Sequence, residues 1–392
     1  MAYDQERSFC RYYARIGLPD AKEQPVERLL SERLDWHFIL QDAQNQEVAQ
    51  ILYYHLSCHK ENLPQFVLST LRDSFIRTKD ANLQFYAELK DILAGFAENN
   101  IECIPLKGID LAKRVYPDVG LRPMSDIDLL IKKHDLPKIE RVLIPLDYLM
   151  HPGYHNMLNK PNSPYLNTVV CKKLIYPFIS LHLHWHILNN TFYPGYGYIS
   201  NLNIEKVWQD VQPAAIDNIK MLRMSPDCLL LHLAYHHFKH HFDRLILLTD
   251  IDAILNYYCG ILDWQRIMHD AVEFNFNRPL YYSLYFAKEI LGSDVPDDML
   301  LKLRPERMNR FEHRFVDSVL KGRPSKNLSF FMFLAMNKGI LKKIRFIFRS
   351  IFPHPKFISQ LKDIYGINSS LKYSLNHLTR IFKYTLNLFL KR

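Results

Sequence analysis

The stretch RPMSDIDLLI, residues 122–131, decides the fold, because it places Asp126 and Asp128 one residue apart in an apolar run. Ile127 and residues 129–131 have the length and the residue types of a short buried strand. Side chains two apart on a strand point to the same face, so the two carboxylates are expected side by side. Two buried like charges repel, and a divalent cation between them would reverse that repulsion.

Two interpretations of the Asp126–Asp128 pair follow from the spacing. In one, an edge strand turns its acidic face to water. In the other, the pair binds a metal ion, and oxygen ligands favour Mg²⁺ or Mn²⁺ over Zn²⁺. An Asp-x-Asp spacing by itself favours the first interpretation, so the flanking sequence has to decide.

The segment before the pair predicts a strand, a turn and a helix. Residues 101–106, IECIPL, have the pattern of a strand, Lys107 and Gly108 follow, and residues 109–115 are helical in pattern. Glycine at a strand-to-helix turn lets backbone amides approach a phosphate, and a helix N-terminus favours an anion. Lys107 adds a point charge beside it. The flanking sequence therefore favours a metal and phosphate site.

The segment PLKGIDLAKRVYPDVGLRPMSDIDLLI, residues 105–131, resembles the uncharacterised nucleotidyltransferases of the polymerase-β-like superfamily. The resemblance extends from about Leu34 to about Leu255. It implies an α+β fold, with a small mixed-sheet α/β core flanked by helical regions. It also implies transfer of a nucleotidyl group from a nucleoside triphosphate to an acceptor, with two metal ions.

The resemblance gives roles to the residues around the two aspartates. Asp126 and Asp128 match the family's metal ligands and are the expected catalytic carboxylates for Mg²⁺ or Mn²⁺. Lys107, Gly108 and Ser125 match positions around the triphosphate. Arg122 is expected to offset charge on the triphosphate, which completes the predicted nucleotide-binding set.

A third carboxylate, which two-metal transfer usually requires, is missing where the family places it, before a Leu-His-Trp triplet. In SLHLHWHIL, residues 180–188, His182 takes that place, and no Asp or Glu occurs within 148–204. Three interpretations of His182 follow. It could be a metal ligand that shifts the metal preference toward Mn²⁺ or Zn²⁺, or it could be the general base. In the third interpretation the site binds nucleotide with reduced or no turnover. His182, His184 and His186 alternate, so they are expected on one strand face, where ordinary exposed histidines are the competing interpretation.

Periodicity and charge divide the chain into four predicted regions. These are an N-terminal helical region at 1–99, the nucleotidyltransferase core at 100–210, a helical region at 211–320 and a basic amphipathic tail at 321–392. The helical regions show apolar residues at three-to-four spacing.

A His-rich helix is predicted to begin at Ser225 as N-cap with Pro226 at its first position. This helix and the one after it are similar to a pair of helices in the family. With His184, they supply three further candidate site residues: His236, His240 and Asp250. Each is alternatively a satisfied polar residue in a helix–helix contact.

The tail is strongly basic. Residues 321–392 contain 15 Lys and Arg and one acid, Asp363, a net charge of +14; since the whole chain is +9, residues 1–320 carry −5. Residues 340–352 and 371–390 each show an apolar stripe beside basic residues, which predicts binding to an anionic membrane surface. Packing of the stripe on the protein body is the alternative. The stripe favours lipid over nucleic acid, for which charge alone would serve.

The remaining features predict a cytoplasmic protein, peripheral on the inner membrane. The N-terminus lacks the apolar stretch of a signal peptide, the apolar runs are too short to span a bilayer, and the six cysteines are scattered. Bacterial families of similar sequence often accompany surface-polysaccharide synthesis, so analogy suggests a glycan or sugar phosphate as acceptor. A catalytically degenerate nucleotide-binding scaffold at the membrane surface is the alternative function.

Overall fold

A computed structural model of the chain combines helices with a mixed five-stranded sheet and a two-stranded sheet, which confirms the predicted α+β fold class. It describes residues 3–17, 34–150, 167–188, 202–216, 218–324, 326–337 and 339–352. The predicted amphipathic stretch at 371–390 lies outside the described residues.

The elements are numbered in chain order within the described residues. The helices are α1 (Asp4–Tyr13), α2 (Trp36–Asn45), α3 (Ala49–Leu56), α4 (Gln65–Glu98), α5 (Gly108–Arg114), α6 (Leu136–Leu143), α7 (Ile204–Gln209), α8 (Pro226–Lys239), α9 (Leu245–Tyr257), α10 (Trp264–Glu273), α11 (Asn277–Phe286), α12 (Asp297–Leu303), α13 (Arg310–Leu320), α14 (Lys326–Met336) and α15 (Ile340–Ile351). The strands are β1 (Cys103–Leu106), β2 (Ile127–Ile131), β3 (Tyr148–Met150), β4 (Thr168–Lys173), β5 (Ser180–His184), β6 (Val211–Ile216) and β7 (Ile219–Met224).

The five-stranded sheet has the order β1-β2-β5-β4-β3. Strands β2 and β5 are parallel, and the other neighbours are antiparallel. The β2–β5 register sets Asp128 opposite His182 and Leu130 opposite His184. The strand that carries Asp128 therefore lies directly beside the strand that carries the histidines.

The two faces of the sheet have different chemistry. Ile127, Leu129, Leu181 and Leu183 point to one face and join a buried apolar cluster with helices α4 and α6. The residues between them, including Asp128, point the other way because strand side chains alternate. Every residue of β2 is buried, which explains its near-continuous apolar sequence. The polar face is turned toward α8, where the candidate site forms.

The prediction that residues 211–320 are helical is wrong at their start. Strands β6 and β7 form an antiparallel hairpin there, ahead of helix α8. Pro213 lacks the backbone N–H that a helix interior needs, and Asn218 takes a left-handed φ of 68° at the turn. From Ser225 onward the prediction is confirmed, since the Ser225 hydroxyl accepts from the Cys228 amide and α8 begins at Pro226.

The helical parts of the chain share one hydrophobic core. A single cluster of buried residues joins α1–α3 to helices α8, α9, α11 and α13, and it continues to Met332, Phe333 and Phe346. The beginning of the basic segment thus packs on the body of the protein. The division into four domains stays a prediction. No helix within the described residues is long and apolar enough to cross a membrane.

Candidate functional site

The site begins at the turn between β1 and α5. Lys107 sits there with φ 55° and ψ −132°, a conformation that costs a non-glycine residue about 1–3 kcal/mol. Gly108 follows, and a Cβ on it would lie 3.0 Å from the Cβ of Met124. The glycine therefore allows the segment before β2 to approach the first turn of α5. This approach brings Lys107 next to the aspartates.

Three side chains converge on Asp128, and Asp126 lies beside one of them. Its Oδ1 lies 2.8 Å from Lys107 Nζ, 2.6 Å from His184 Nε2 and 3.7 Å from His182 Nδ1. The half-buried carboxylate of Asp126, just before β2, lies 3.2 Å from His182 Nδ1. Lys107, Asp126, Asp128, His182 and His184 are thus brought together at one place, from β2, β5 and the β1–α5 turn.

The two carboxylates have opposite electrostatic surroundings. Burial raises the pKa of Asp126, and the Asp128 charge adds to the rise. Burial also opposes ionisation of Asp128, but Lys107 and the two histidines outweigh it and hold the pKa of Asp128 well below its usual value. Asp128 is therefore the permanent anion of the pair. Ser125, exposed on the loop, hydrogen-bonds the Asp126 carboxylate and orients it.

The two histidines also differ from each other. Burial lowers the pKa of His184 to about 4, so its ring is neutral near pH 7. For His182 burial acts in the same direction, but the neighbouring Asp128 and then Asp126 outweigh it and raise the pKa. Each ring has a hydroxyl on its second nitrogen: Thr168 Oγ1 lies 2.8 Å from His184 Nδ1, and Ser180 Oγ lies 3.1 Å from His182 Nε2.

The prediction that His186 shares the face of His182 and His184 is wrong. Strand β5 ends at His184, and the chain then turns. The Nδ1 of His186 accepts a hydrogen bond from the Leu188 amide, and its Nε2 lies 3.4 Å from the Leu202 carbonyl. Alternating residues share a face only while the strand continues, and β5 ends two residues before His186.

A small cavity of about 20 Å³ lies beside the carboxylates, between β1, β5 and helix α8. Its lining includes Lys107, His184, His232, His236 and Lys239. His232 is 1% exposed, and neither of its ring nitrogens has a hydrogen-bond partner. Within the described residues Lys239 has no carboxylate at ion-pair distance. Burial and the Lys107 charge lower the pKa of Lys239 to about 7. The cavity is therefore lined by donors and cations, which suits an anion.

Of the other predicted site residues, His240 lies next to a residue of the cavity lining, and Arg122 and Asp250 form an ion pair with each other. The ring of His240 lies 4.5 Å from the ring of His236, at the end of α8. Arg122 and Asp250 bind each other: Nε–Oδ1 and Nη2–Oδ2 are both 2.7 Å, and Tyr116 donates to Oδ1 at 2.7 Å. Arg122 also donates to the Pro123 carbonyl. Contact of Arg122 with a triphosphate stays a prediction.

Sequence reasoning did not select Lys239, His232 or Thr168 as site residues. Lys239 follows His236 by three positions on α8, so helical spacing would have placed it on the same side. Thr168 had no usable signal, because only the β4–β5 pairing sets it opposite His184. These residues complete the surroundings of Asp128 and of the cavity.

A parallel strand pair with the Asp-x-Asp at the start of one strand, beside a Lys-Gly turn into a helix, is consistent with the core of a nucleotidyltransferase. The chain belongs to the family described as uncharacterised nucleotidyltransferase, whose model matches residues 32–292. The resemblance found over 34–255 is thereby confirmed, and the match continues past helix α11 to residue 292. No curated protein and no solved structure matches the chain. Enzymes of this kind generally use divalent metal ions, and Asp128, His182 and His184 could hold one, with ligand atoms within 4.8 Å of one another.

The free energy of unfolding is expected to decrease as the pH falls, because helix α8 contains buried histidines. Burial lowers the pKa of His232 to about 3, far below its unfolded value of about 6.5. The unfolded chain then binds the extra proton first, so the stability present above pH 6.5 is lost as the pH falls from 6.5 toward 3. Chemical denaturation measures the free energy of unfolding at pH 7.5 and at pH 5.5. Between these values His232→Leu should lose less of this free energy than the wild type, by up to about 1.4 kcal/mol per pH unit.

The control for that experiment removes a histidine from the surface. His269→Gln changes an exposed ring on α10. An equal acid-dependent loss in His232→Leu and wild type would contradict the assignment of this loss to His232.

Proposed function

We propose that the protein is a metal-dependent nucleotidyltransferase that moves a nucleoside monophosphate from a nucleoside triphosphate to an acceptor. The observation that carries the proposal is the convergence of Lys107, His182 and His184 on Asp128, with Asp126 beside His182, in a chain of a nucleotidyltransferase family. Asp126 and Asp128 would hold Mg²⁺ or Mn²⁺ with the triphosphate. The bound metal would supply charge neutralisation for the reacting phosphate.

The chain's own residues would position the phosphates. Lys107 and Lys239 flank the cavity beside Asp128, and His232 and His236 add donors. We propose that the β- and γ-phosphates lie against these groups, with Gly108 at the close approach of the turn. Arg122, in its pair with Asp250, would hold the segment before Asp126 in place.

The transfer step exchanges one phosphorus–oxygen bond for another. The acceptor hydroxyl oxygen bonds the α-phosphorus, the bond from the α-phosphorus to the bridging oxygen breaks, and pyrophosphate leaves with the electron pair. The proton of the hydroxyl goes to a basic group of the site. His182, which is partly accessible and lies 3.2 Å from Asp126, would take it.

The experiment that tests this function offers each α-labelled nucleoside triphosphate with Mg²⁺ or Mn²⁺ and a cell extract as the acceptor pool. Label transferred to an extract component would establish the activity and identify the acceptor, including the predicted glycan or sugar phosphate. The absence of transfer with any nucleotide, despite binding, would favour the second candidate function.

That second candidate is a nucleotide-binding scaffold without turnover. The favouring observation is His182, which lies where the family resemblance predicts a third carboxylate, directly across from Asp128 on the parallel strand. In this function the charged cavity retains the nucleotide, and the site lacks the ligand that activates the acceptor. Nucleotide binding would then be intact while transfer stays absent with every metal.

Removal of Lys239 is expected to weaken binding of a triphosphate selectively. Lys239→Ala deletes a partly buried cation on the cavity, and a charged hydrogen bond contributes about 1.5–3 kcal/mol. The dissociation constant of a non-hydrolysable triphosphate should rise roughly 10- to 100-fold. The constant for the monophosphate should change little. Calorimetry measures both.

Lys302→Ala is the matched control for that measurement, because Lys302 is an exposed lysine paired with Asp298 on α12. Equal weakening of the monophosphate and the triphosphate would contradict a role of Lys239 at the phosphate tail.

We also propose that α15 docks the protein on the anionic cytoplasmic surface of a membrane. Ile340, Leu341 and Phe348 are 71%, 79% and 52% exposed, so these members of the apolar stripe are not covered by the part of the chain that the structure describes. Among the residues of α15 whose burial is described, Phe346, which lies off the stripe, is the buried one. Four basic residues accompany the stripe: Lys342, Lys343, Arg345 and Arg349. An anionic lipid surface complements both features.

Leu341→Ser/Phe348→Ser is expected to reduce co-sedimentation with anionic liposomes strongly, because it removes the exposed apolar contacts and keeps the charge. Substitution is preferable to deletion of 321–392, since deletion would also remove the buried Phe333 and Phe346. Leu301→Ser, at an exposed leucine of α12, is the control. Unchanged co-sedimentation of the double variant would contradict docking by α15.

A further inference from the structure

We propose that Asp128, His182 and His184 form a transition-metal site that binds Zn²⁺, Co²⁺ or Mn²⁺ in preference to Mg²⁺. The inference deepens the proposed function, on which it rests for its catalytic meaning. The metal site is defined by its own ligands and can be tested without turnover.

The ligand atoms point to a metal that accepts nitrogen. Of the three groups that converge within 4.8 Å, two are imidazoles and one is a carboxylate. Mg²⁺ prefers an octahedron of oxygens and keeps several waters, whereas imidazole suits Zn²⁺ and its neighbours in the transition series. Three protein ligands with an open position are the pattern of catalytic zinc sites. The ligand set therefore does not fit Mg²⁺ and fits a transition metal.

The spacing of the ligand atoms is compatible with one shared ion. Zn–N distances of about 2.0–2.1 Å in tetrahedral geometry put neighbouring ligand atoms about 3.4 Å apart. Asp128 Oδ1 lies 2.6 Å from His184 Nε2 and 3.7 Å from His182 Nδ1, on either side of that value. Lys107 Nζ, 2.8 Å from the same oxygen, neutralises Asp128 here. It would turn to the phosphates once an ion takes over that charge.

The second nitrogen of each ring has the support that metal-binding histidines usually have. Thr168 Oγ1 on β4 holds His184 Nδ1, and Ser180 Oγ holds His182 Nε2. A hydrogen bond on the far nitrogen fixes the tautomer and the ring orientation, and directs the near nitrogen to the metal. Both near nitrogens face Asp128.

The test uses the full chain, stripped of metal with a chelator and titrated with Co²⁺. We expect a visible d–d absorption band of Co²⁺ with nitrogen ligands, one ion per chain, displaced by Zn²⁺. Thermal stabilisation should be larger with Zn²⁺, Co²⁺ or Mn²⁺ than with Mg²⁺. His184→Gln should lose the band, and Thr168→Val, which changes a positioning residue, should weaken Co²⁺ binding about 10- to 100-fold.

Replacing His182 by a carboxylate tests whether the metal preference can be shifted toward Mg²⁺. His182→Glu is expected to lower the preference for Zn²⁺ over Mg²⁺ at least about tenfold, because an oxygen replaces a nitrogen ligand. The affinity for Mg²⁺ itself should rise as the affinity for Zn²⁺ falls, and a rise in affinity cannot result from misfolding. His269→Gln alters the surface group His269, Asp270 and Glu273, and controls for binding there.

Each outcome bears on the inference. A Co²⁺ band that survives His184→Gln, or equal stabilisation by Mg²⁺ and Zn²⁺ in the wild type, would overturn it. If His184→Gln still transfers nucleotide with Mg²⁺, the metal assignment fails and the proposed function stands. If the metal binds as described and no nucleotide is transferred, the proposed function fails and the metal site stands.

Discussion

Asp128→Asn is expected to abolish nucleotidyl transfer, and more completely than Asp126→Asn. The Oδ1 of Asp128 is the point where Lys107, His182 and His184 converge, and the residue is 4% exposed. An amide has no net charge to hold a cation, and its NH₂ group would face Lys107 and the histidines. A loss of at least about 10²–10³-fold is expected, as for removal of one main electrostatic stabiliser.

Transfer of α-label to the acceptor measures this effect, with thermal unfolding to show that each variant is folded. Asp298→Asn, at an exposed aspartate on α12, is the matched control and should retain wild-type activity. More than a tenth of the wild-type rate in Asp128→Asn would contradict the proposed role. A larger loss in Asp126→Asn would reverse the ranking of the two carboxylates.

Asp250→Ala is expected to lower the free energy of unfolding by about 3–5 kcal/mol, the cost of leaving one charge of a buried pair alone. Asp250 is fully buried, and its two oxygens hold Arg122 Nε and Nη2 at 2.7 Å. It also accepts from Tyr116 Oη. Removal of the carboxylate leaves a guanidinium buried without its counter-ion and a phenol without its acceptor.

Urea denaturation measures this loss, and Asp298→Ala is the control, since an exposed ion pair on a helix contributes less than about 1 kcal/mol. The double variant Arg122→Met/Asp250→Leu should be less destabilised than Asp250→Ala, because it removes both charges. A loss below about 1 kcal/mol in Asp250→Ala would show that the pair does not hold the segment before β2.

The local pattern around Asp126 and Asp128 was sufficient to predict the elements of the core. The strand over 127–131, the preceding strand and the Lys-Gly turn into a helix are all present, because each depends on neighbours in sequence. The N-cap at Ser225 is of the same kind, since a cap involves residues three positions apart. Periodicity over a window predicted the wrong structure where an element ends or changes type, as at the hairpin β6–β7 and after His184.

The roles of Arg122 and Asp250 could not be read from sequence. They are 128 positions apart, and each looked like a separate site candidate until the fold paired them. The alternation predicted one strand face for His184 and His186, and only the end of β5 at His184 separates the two. Pairing across the sheet and between helices depends on contacts that no local pattern contains.

The sequence by itself determined the family, the fold class and the strand that presents the two aspartates, since motif, alternation and capping act over a few residues. Only the tertiary structure decided that β5 lies parallel to β2, that two histidines and a lysine meet at one oxygen of Asp128, and that Lys239 lines the same cavity. The physical reason is that a buried carboxylate takes its state from the groups around it, and those groups come from parts of the chain far apart in sequence.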